Sequence, residues 1–444
     1  MKRFRFGTAL ALIAVLSSCG GGGGGGGNPA PPVAGPTPTP PPPPASSACS
    51  LRSRQDWAAA QLREWYLFPE TLPSNLNPAN YSTVEAYIDA LTATARSQRR
   101  DRFFTYLTSI QEENAFFNSG SSAGFGVRFS YDTSQNRVFV AEAYEGAPAL
   151  AAGIDRGTEL LAIGTSAGNL RLVSEIMAAG GPQAVSDALG PTTAGTTRVL
   201  RISNASGTRE VSVTKADYEL TPVSNRYGAK IIEEGGRKYG YVNLRTFIGT
   251  ADQALRNAFA QFKQQGVTQV IVDLRYNGGG LVSTANLLGD LLGGARSTTD
   301  VFSRTEFRAS KSSNNSTRLF RPLPESIAPM KIAFIGRSGT ASASELVINS
   351  FVPYFGTNMA LIGTNTFGKP VGQIAVDRAQ CDDRIRVTAF RTVNAAGQGD
   401  YYRGLATTVP VTCQAGDELA RQLGDPQEAS VRQALDYLAG RSCT

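Results

Sequence analysis

The stretch Val267–Leu274, VTQVIVDL, is apolar at odd and even positions through its centre. A strand of that kind cannot leave one face in water, so it requires a sheet covered on both sides. Lys331–Gly336, KIAFIG, has the same character. Around these runs, Tyr239–Leu244 reads as a strand, Ala251–Gln264 as an amphipathic helix, and Leu281–Leu292 as a second helix. This order predicts a mixed α/β sheet with helices packed on it, over residues 219–444. In such sheets, sites lie in the loops at the carboxyl ends of the strands. Two loops fall there: Arg275-Tyr-Asn-Gly-Gly-Gly280 and Ser338–Ser344, the second leading into a helix that reaches about Tyr354.

Upstream the patterning changes twice. Residues 48–118 read as a helical unit, with stripes at Trp57, Ala60, Leu62, Trp65 and at Val84, Tyr87, Ile88, Leu91, and with no evident chemistry. Residues 119–218 switch to short alternating strands. Two stretches there, Gly124-Phe125-Gly126-Val127 and Glu145-Gly-Ala-Pro-Ala-Leu-Ala-Ala-Gly-Ile-Asp-Arg-Gly-Thr-Glu-Leu-Leu-Ala-Ile-Gly164, together resemble a PDZ domain, a small β-rich α+β fold. That resemblance implies that Gly124–Val127 turns backbone N–H groups toward a peptide's terminal carboxylate. The following strand would then accept the peptide as an added strand.

The start of the chain reads as a targeting segment. Lys2, Arg3 and Arg5 precede a short apolar core, Ala9–Leu16, and the segment ends in Leu16-Ser-Ser-Cys19. This resembles a bacterial lipobox, which implies removal of residues 1–18, lipidation of Cys19 and attachment to a membrane surface. By the same resemblance, Gly20 in place of an aspartate implies the outer membrane, facing the periplasm of a Gram-negative cell. Residues 19–47, rich in glycine and then proline, read as a tether. The formal charge of +7 falls to 7 − 3 = +4 without the three basic residues of the leader. The remaining basic residues are dispersed apart from Arg96–Arg102, and no nucleic-acid motif is present. Cys49, Cys381, Cys413 and Cys443 suggest two disulfides in an exported chain, with three possible pairings. Cys381–Cys413 with Cys49–Cys443 is the favoured one.

The chemistry concentrates in Ser338–Gln373, and the chain has no histidine. An activated serine therefore needs another base. Ser342 stands in a run of small residues at a helix start, three residues before Glu345. That spacing is also a capping box. Lys369 lies in the turn Thr366-Phe-Gly-Lys-Pro-Val-Gly-Gln373. A free lysine titrates near 10.4, so a base poised at about 7–8 needs a downward shift of roughly three units, about 4 kcal/mol. Burial against apolar neighbours can supply that. Gln373, four residues on, can orient the amine without charging it. No metal and no organic cofactor is required.

Thr340-Ala-Ser-Ala-Ser-Glu345, the turn Thr366-Phe-Gly-Lys369 with Gln373, Asp273-Leu-Arg-Tyr-Asn-Gly-Gly-Gly280 and the preceding PDZ-like segment together resemble the carboxyl-terminal processing peptidases, or tail-specific proteases, over roughly residues 119–444. The resemblance implies Ser342 as nucleophile, Lys369 as general base and Gln373 as its support. It also implies backbone N–H groups of Ala343 and Gly279 as the oxyanion hole. The chain departs from the family pattern at Pro370, where glycine is usual. The expectation is a multidomain, membrane-tethered serine endopeptidase: helical segment, PDZ domain and protease core, acting on proteins with exposed C-terminal tails. The alternative is a non-catalytic peptide-binding lipoprotein on a degenerate protease fold. No feature of the sequence sets an oligomeric state.

Overall fold

The computed structural model describes residues 47–442. The leader, the tether with Cys19, and Cys443 lie outside the described residues.

The two apolar runs sit side by side at the centre of a six-stranded sheet. Its order is Ala229–Glu234, Arg237–Asn243, Gln269–Asp273, Lys331–Gly336, Met359–Gly363 and Thr412–Gln414. The first pair is antiparallel and the others are parallel. Alternation along the strands builds two cores. Val270, Val272, Ile332 and Phe334 face helices Ala251–Gln264, Val282–Leu292 and Ala343–Phe355. Ile271, Ala333 and Ile335 face helix Ala429–Leu438 through Val431, Ala434 and Leu435. Covering on both faces is what the apolar runs demand.

A second sheet joins the C-terminal half to the N-terminal segment. Strand Asp383–Val393 pairs with Val371–Arg378, with Val301–Phe307 and with Tyr106–Ser109. Helices Leu51–Trp65 and Val84–Leu91 pack on this sheet, in a core shared by Leu62, Ile88 and Phe104 with Val371, Ile385 and Val387. Residues 48–118 are thus not a self-contained helical unit, because their apolar face is completed by strands from the far end of the chain. The first helix buries Gln55, Ala58, Ala59 and Leu62, one step round from the expected stripe, and leaves Ala60 exposed.

Between these parts lies a β-rich module. Its strands are ordered Val127–Asp132, Arg137–Ala143, Glu159–Gly164, Thr197–Asn204 and Gly207–Thr214. Helix Val173–Leu189 packs on the sheet and kinks at Gly181-Pro182. Ser121–Gly124 pairs with Ala216–Glu219, zipping the chain's entry to its exit. Two buried arginines fix the module to the core. Arg245 binds Glu142 and Glu145, both at 2.6 Å, and Tyr227. Arg156 reaches from the module to Asp417 and to the Tyr276 hydroxyl, each at 2.7 Å. Removing the Arg245 guanidinium would take the nearest cation from two carboxylates, Glu142 and Glu145, whereas Asp417 would keep Arg275 at 3.3 Å without Arg156.

The disulfide pairing differs from the expected one. Cys49 is bonded to Cys381, with Cα atoms 5.5 Å apart, so neither Cys381–Cys413 nor Cys49–Cys443 forms. The reason is local. Arg378 donates to the Ala48 carbonyl and, at 2.9 Å, to the Ser53 carbonyl, which brings the first turn to the end of the Val371–Val393 hairpin. Cys413 lies in the other sheet and is itself disulfide-bonded. The Cys49–Cys381 bond closes a span of 332 residues. Replacing both cysteines by serine should therefore lower stability by about 2–4 kcal/mol. The check is the denaturant midpoint under oxidising conditions. A midpoint equal to that of the unsubstituted protein would refute a stabilising role.

Candidate active site

The site is assembled where two parallel strands end. After strand Lys331–Gly336, the turn to the next helix is held by three contacts: Thr340 Oγ1 donates to the Leu274 carbonyl at 2.7 Å, and the Asn277 carbonyl accepts from Ala341 N–H at 3.1 Å and Ser344 Oγ at 2.9 Å. Ser342, with φ +54° and ψ −115°, is driven into a region that L-residues avoid. Strain of this kind persists only where the surroundings over-determine it, and it clusters at functional sites. Helix Ala343–Phe355 begins at the next residue, so the Ala343 N–H has no acceptor within its helix.

Glu345 does more than cap that helix. It is fully buried. Oε2 accepts from Ser342 N–H at 3.1 Å and from Lys369 N–H at 2.7 Å. Oε1 accepts from Gly368 N–H at 2.7 Å and Thr366 Oγ1 at 2.6 Å. One carboxylate therefore ties the serine turn to the lysine turn. Burial pushes its pKa up, against the opposing pull of these four donors.

Lys369 Nζ donates to Gln373 Oε1 at 2.8 Å and lies 4.8 Å from the centre of the Phe104 ring. Burial brings its pKa down to about 8, with Asp101 and Glu345 opposing the shift and Arg386 assisting it. Gln373 donates its Nε2 to the Phe104 carbonyl. A register shift between Gly372 and Gln373 interrupts the pairing with Asp383–Val393 just there. Such a bulge re-aims the side chain that follows it.

Gly279 covers the serine turn. A Cβ built on it would lie 2.8 Å from Ser342 Cβ and 3.0 Å from Ala343 N, and its φ is +106°. Its own N–H donates to Asn277 Oδ1 at 2.8 Å. This alters the part expected of Gly279. In this arrangement it leaves space beside the Ala343 N–H instead of offering a free donor of its own. Gly124–Val127 form a turn in the β-rich module and are not part of the Ser342–Lys369 cluster. Phe125 and Gly126 carbonyls accept from Ala149 and Tyr144 N–H, both at 2.9 Å, and Val127 opens a strand whose ladder partner is Arg137–Ala143.

Sequence reasoning overlooked the contribution of residues 101–104. Phe104 faces Lys369, and Arg102 donates to the carbonyls of Phe367 at 2.5 Å and Gly368 at 2.7 Å. No spacing signal links a helical leader segment to a turn more than 260 residues away.

Comparison with known proteins fits this geometry. The model of Peptidase family S41 matches residues 238–411, and that of the Peptidase S41 N-terminal domain matches residues 53–106. The chain is 29% identical over 299 residues to the C-terminal processing peptidase, chloroplastic, of Tetradesmus obliquus, covering 63% of this chain and 58% of that protein. It is 26% identical over 337 residues to carboxyl-terminal-processing peptidase 3, chloroplastic, of Arabidopsis thaliana, covering 74% and 61%. The chain thus spans less than two thirds of the length of these curated relatives. Among solved structures, an S41 protease from Bacteroides fragilis NCTC 9343 superposes with a TM-score of 0.67 at 23% identity, over 86% of this chain and 97% of that one, a likeness of fold. With both the core and the N-terminal segment matched, the chain belongs to peptidase family S41.

Proposed function

We propose that this protein is a membrane-tethered serine endopeptidase that captures the C-terminal tails of extracytoplasmic proteins and cleaves them with a Ser342–Lys369 dyad. The observation that carries this reading is the environment of Lys369. Its amine is buried, bonded to a neutral amide and lowered to about 8, while its turn shares a carboxylate with the turn of Ser342.

In this reading Ser342 Oγ attacks the scissile carbonyl as neutral Lys369 accepts its proton. The Ala343 N–H stabilises the developing oxyanion, and a preorganised donor of this kind is worth about 3–4 kcal/mol. The Lys369 ammonium returns the proton to the leaving amine, and the C–N bond breaks to leave a Ser342 ester. Water, deprotonated by Lys369, then hydrolyses the ester. Gln373 holds the amine in place throughout.

Two further features support the tail-directed part. Residues 119–218 are read as a PDZ domain in which strand Val127–Asp132 is the strand to which a peptide adds. Among the described residues this strand is paired on one side only, with Arg137–Ala143. Gly124 and Gly126 take φ +146° and +74°, which lets the turn before that strand present backbone N–H groups. The lipobox-like Leu16–Cys19 supports a tether to the outer membrane.

The test uses the full chain in detergent and an unfolded protein substrate with a nonpolar C-terminus. Ser342→Ala and Lys369→Ala should each lower kcat by about 10³-fold or more. Cleavage by both variants at the original rate would sink the dyad, whereas tail binding without cleavage by the unsubstituted protein would favour the non-catalytic reading. Because the base acts only when neutral, kcat/KM should rise with pH through about 8 and then level off. A profile already flat from pH 6 upward would contradict a lysine base. Gly279→Ala should lower kcat by about 10²-fold by crowding the Ala343 N–H. Full activity in that variant would remove the Ala343 N–H from the mechanism.

A further inference from the structure

The turn between the N-terminal helices and strand Tyr106–Ser109 carries an unusual load. Asp101 is fully buried. Its Oδ1 accepts from Phe104 N–H at 2.7 Å and Thr105 N–H at 3.3 Å, and its Oδ2 from Tyr66 Oη at 2.8 Å and Thr105 Oγ1 at 2.7 Å. All four donors are neutral. A buried carboxylate is expensive to keep in that setting. The same turn holds Arg99 and Phe103 at φ +62° and +65°, which is costly for side chains of this size. Packing alone would be served by an apolar residue at 101 and an unstrained turn.

What the turn holds is the base. Arg102 clamps the carbonyls of Phe367 and Gly368, just before Lys369, and its guanidinium lies 4.0 Å from the centre of the Phe367 ring. The Phe104 ring covers Lys369 Nζ. The Phe104 carbonyl accepts from Gln373 Nε2, and this contact selects one of the two orientations of the amide. A carbonyl can only accept, so Nε2 must face Phe104 and Oε1 must face Lys369. Turned over, the amide would point its N–H groups at the Lys369 ammonium, which has no lone pair to accept them.

We propose that Asp101, Arg102 and Phe104 are positioning residues for the Ser342–Lys369 reaction, acting on the base through Gln373 and through the Phe367–Gly368 backbone. The N-terminal segment is then part of the catalytic apparatus and not only a packing unit. This rests on the dyad reading above. Asp101 holds the turn, Arg102 fixes the backbone of the lysine turn, and Phe104 fixes the amide and shields the amine. The charged groups that bear on Lys369 are Asp101 and Glu345, which favour its ammonium form, and Arg386, which opposes it and is itself paired with Glu113.

The test compares the full chain in detergent with Asp101→Asn, Asp101→Ala, Arg102→Lys and Lys369→Ala, by kcat, KM and the pH profile of kcat/KM, with thermal unfolding alongside. Asp101→Asn keeps an acceptor for the turn but removes a negative charge that favours the ammonium. The acidic limb should therefore move to lower pH, by about half a unit or more. Arg102→Lys loses the planar guanidinium that lies over the Phe367 ring while its Nη2 donates to both carbonyls, and should lower kcat by about tenfold or more with KM within about twofold. Asp101→Ala should do both. Should Asp101→Ala not fold, the other two variants decide alone. A merely structural role would lower the unfolding temperature and leave the pH limb in place. An unmoved limb in Asp101→Asn together with unchanged kcat in Arg102→Lys overturns the proposal, while a large loss in Lys369→Ala would still uphold the dyad. If Lys369→Ala cleaves as the unsubstituted protein does, the dyad falls and the positioning roles fall with it.

Discussion

A single buried carboxylate, Glu345, holds the candidate site together. Ser342 and Lys369 sit on different turns, each at the end of a different strand, and apart from the bond from Phe367 N–H to the Thr340 carbonyl at 2.9 Å the strand pairing does not fix those turns to each other. Glu345 does so by accepting from one backbone N–H on the serine side and two on the lysine side, with the Thr366 hydroxyl as a fourth donor. A carboxylate in this position is costly unless every lone pair is used. The cost is what makes the arrangement specific: any sliding of one turn past the other strands a buried charge.

In the proposed dyad, the arrangement also lets lysine serve where histidine is absent. Lowering the amine requires a dry pocket, and Glu345 and Asp101 both work against that by favouring the ammonium form. Burial outweighs them. The carboxylate of Glu345 is engaged with the Lys369 backbone, while the Lys369 side chain is bonded to a neutral amide. Negative charge is thus used to fix the backbone, and a neutral group is used to fix the amine.

Much of this was legible in the sequence. The doubly apolar runs marked the central strands, the small-residue run at the end of one of them marked Ser342, and the lack of histidine with the glycine turn marked Lys369. Gln373 was legible from its spacing to Lys369. The first helix was harder. Trp57 and Trp65 suggested a stripe through Ala60, yet alanines 58 and 59 and Gln55 form the buried face and both tryptophans are only partly covered. Large aromatic residues can lie along a surface groove, so their spacing misled. The cysteine pairing was out of reach because it depends on Arg378 drawing the first turn to a distant hairpin. The role of Glu345 was half visible. Its spacing to Ser342 signals a cap, and only the folded chain brings Gly368 and Lys369 to the same oxygens.

The lysine turn depends on partners far away in the chain. Phe104 and Gln373 are separated by 269 residues, and Arg102 and Gly368 by 266. Until these contacts have formed, Lys369 is a solvated lysine titrating near the free value of about 10.4, far above the value of about 8 that burial gives it. A growing or partly folded chain carries its own unfolded tails close to Ser342, and those are the kind of polypeptide such a site would cut. In the proposed dyad, splitting the base pocket between residues 102–104 and 367–373 would keep the nucleophile idle through that period. In that reading, latency is a property of chain connectivity.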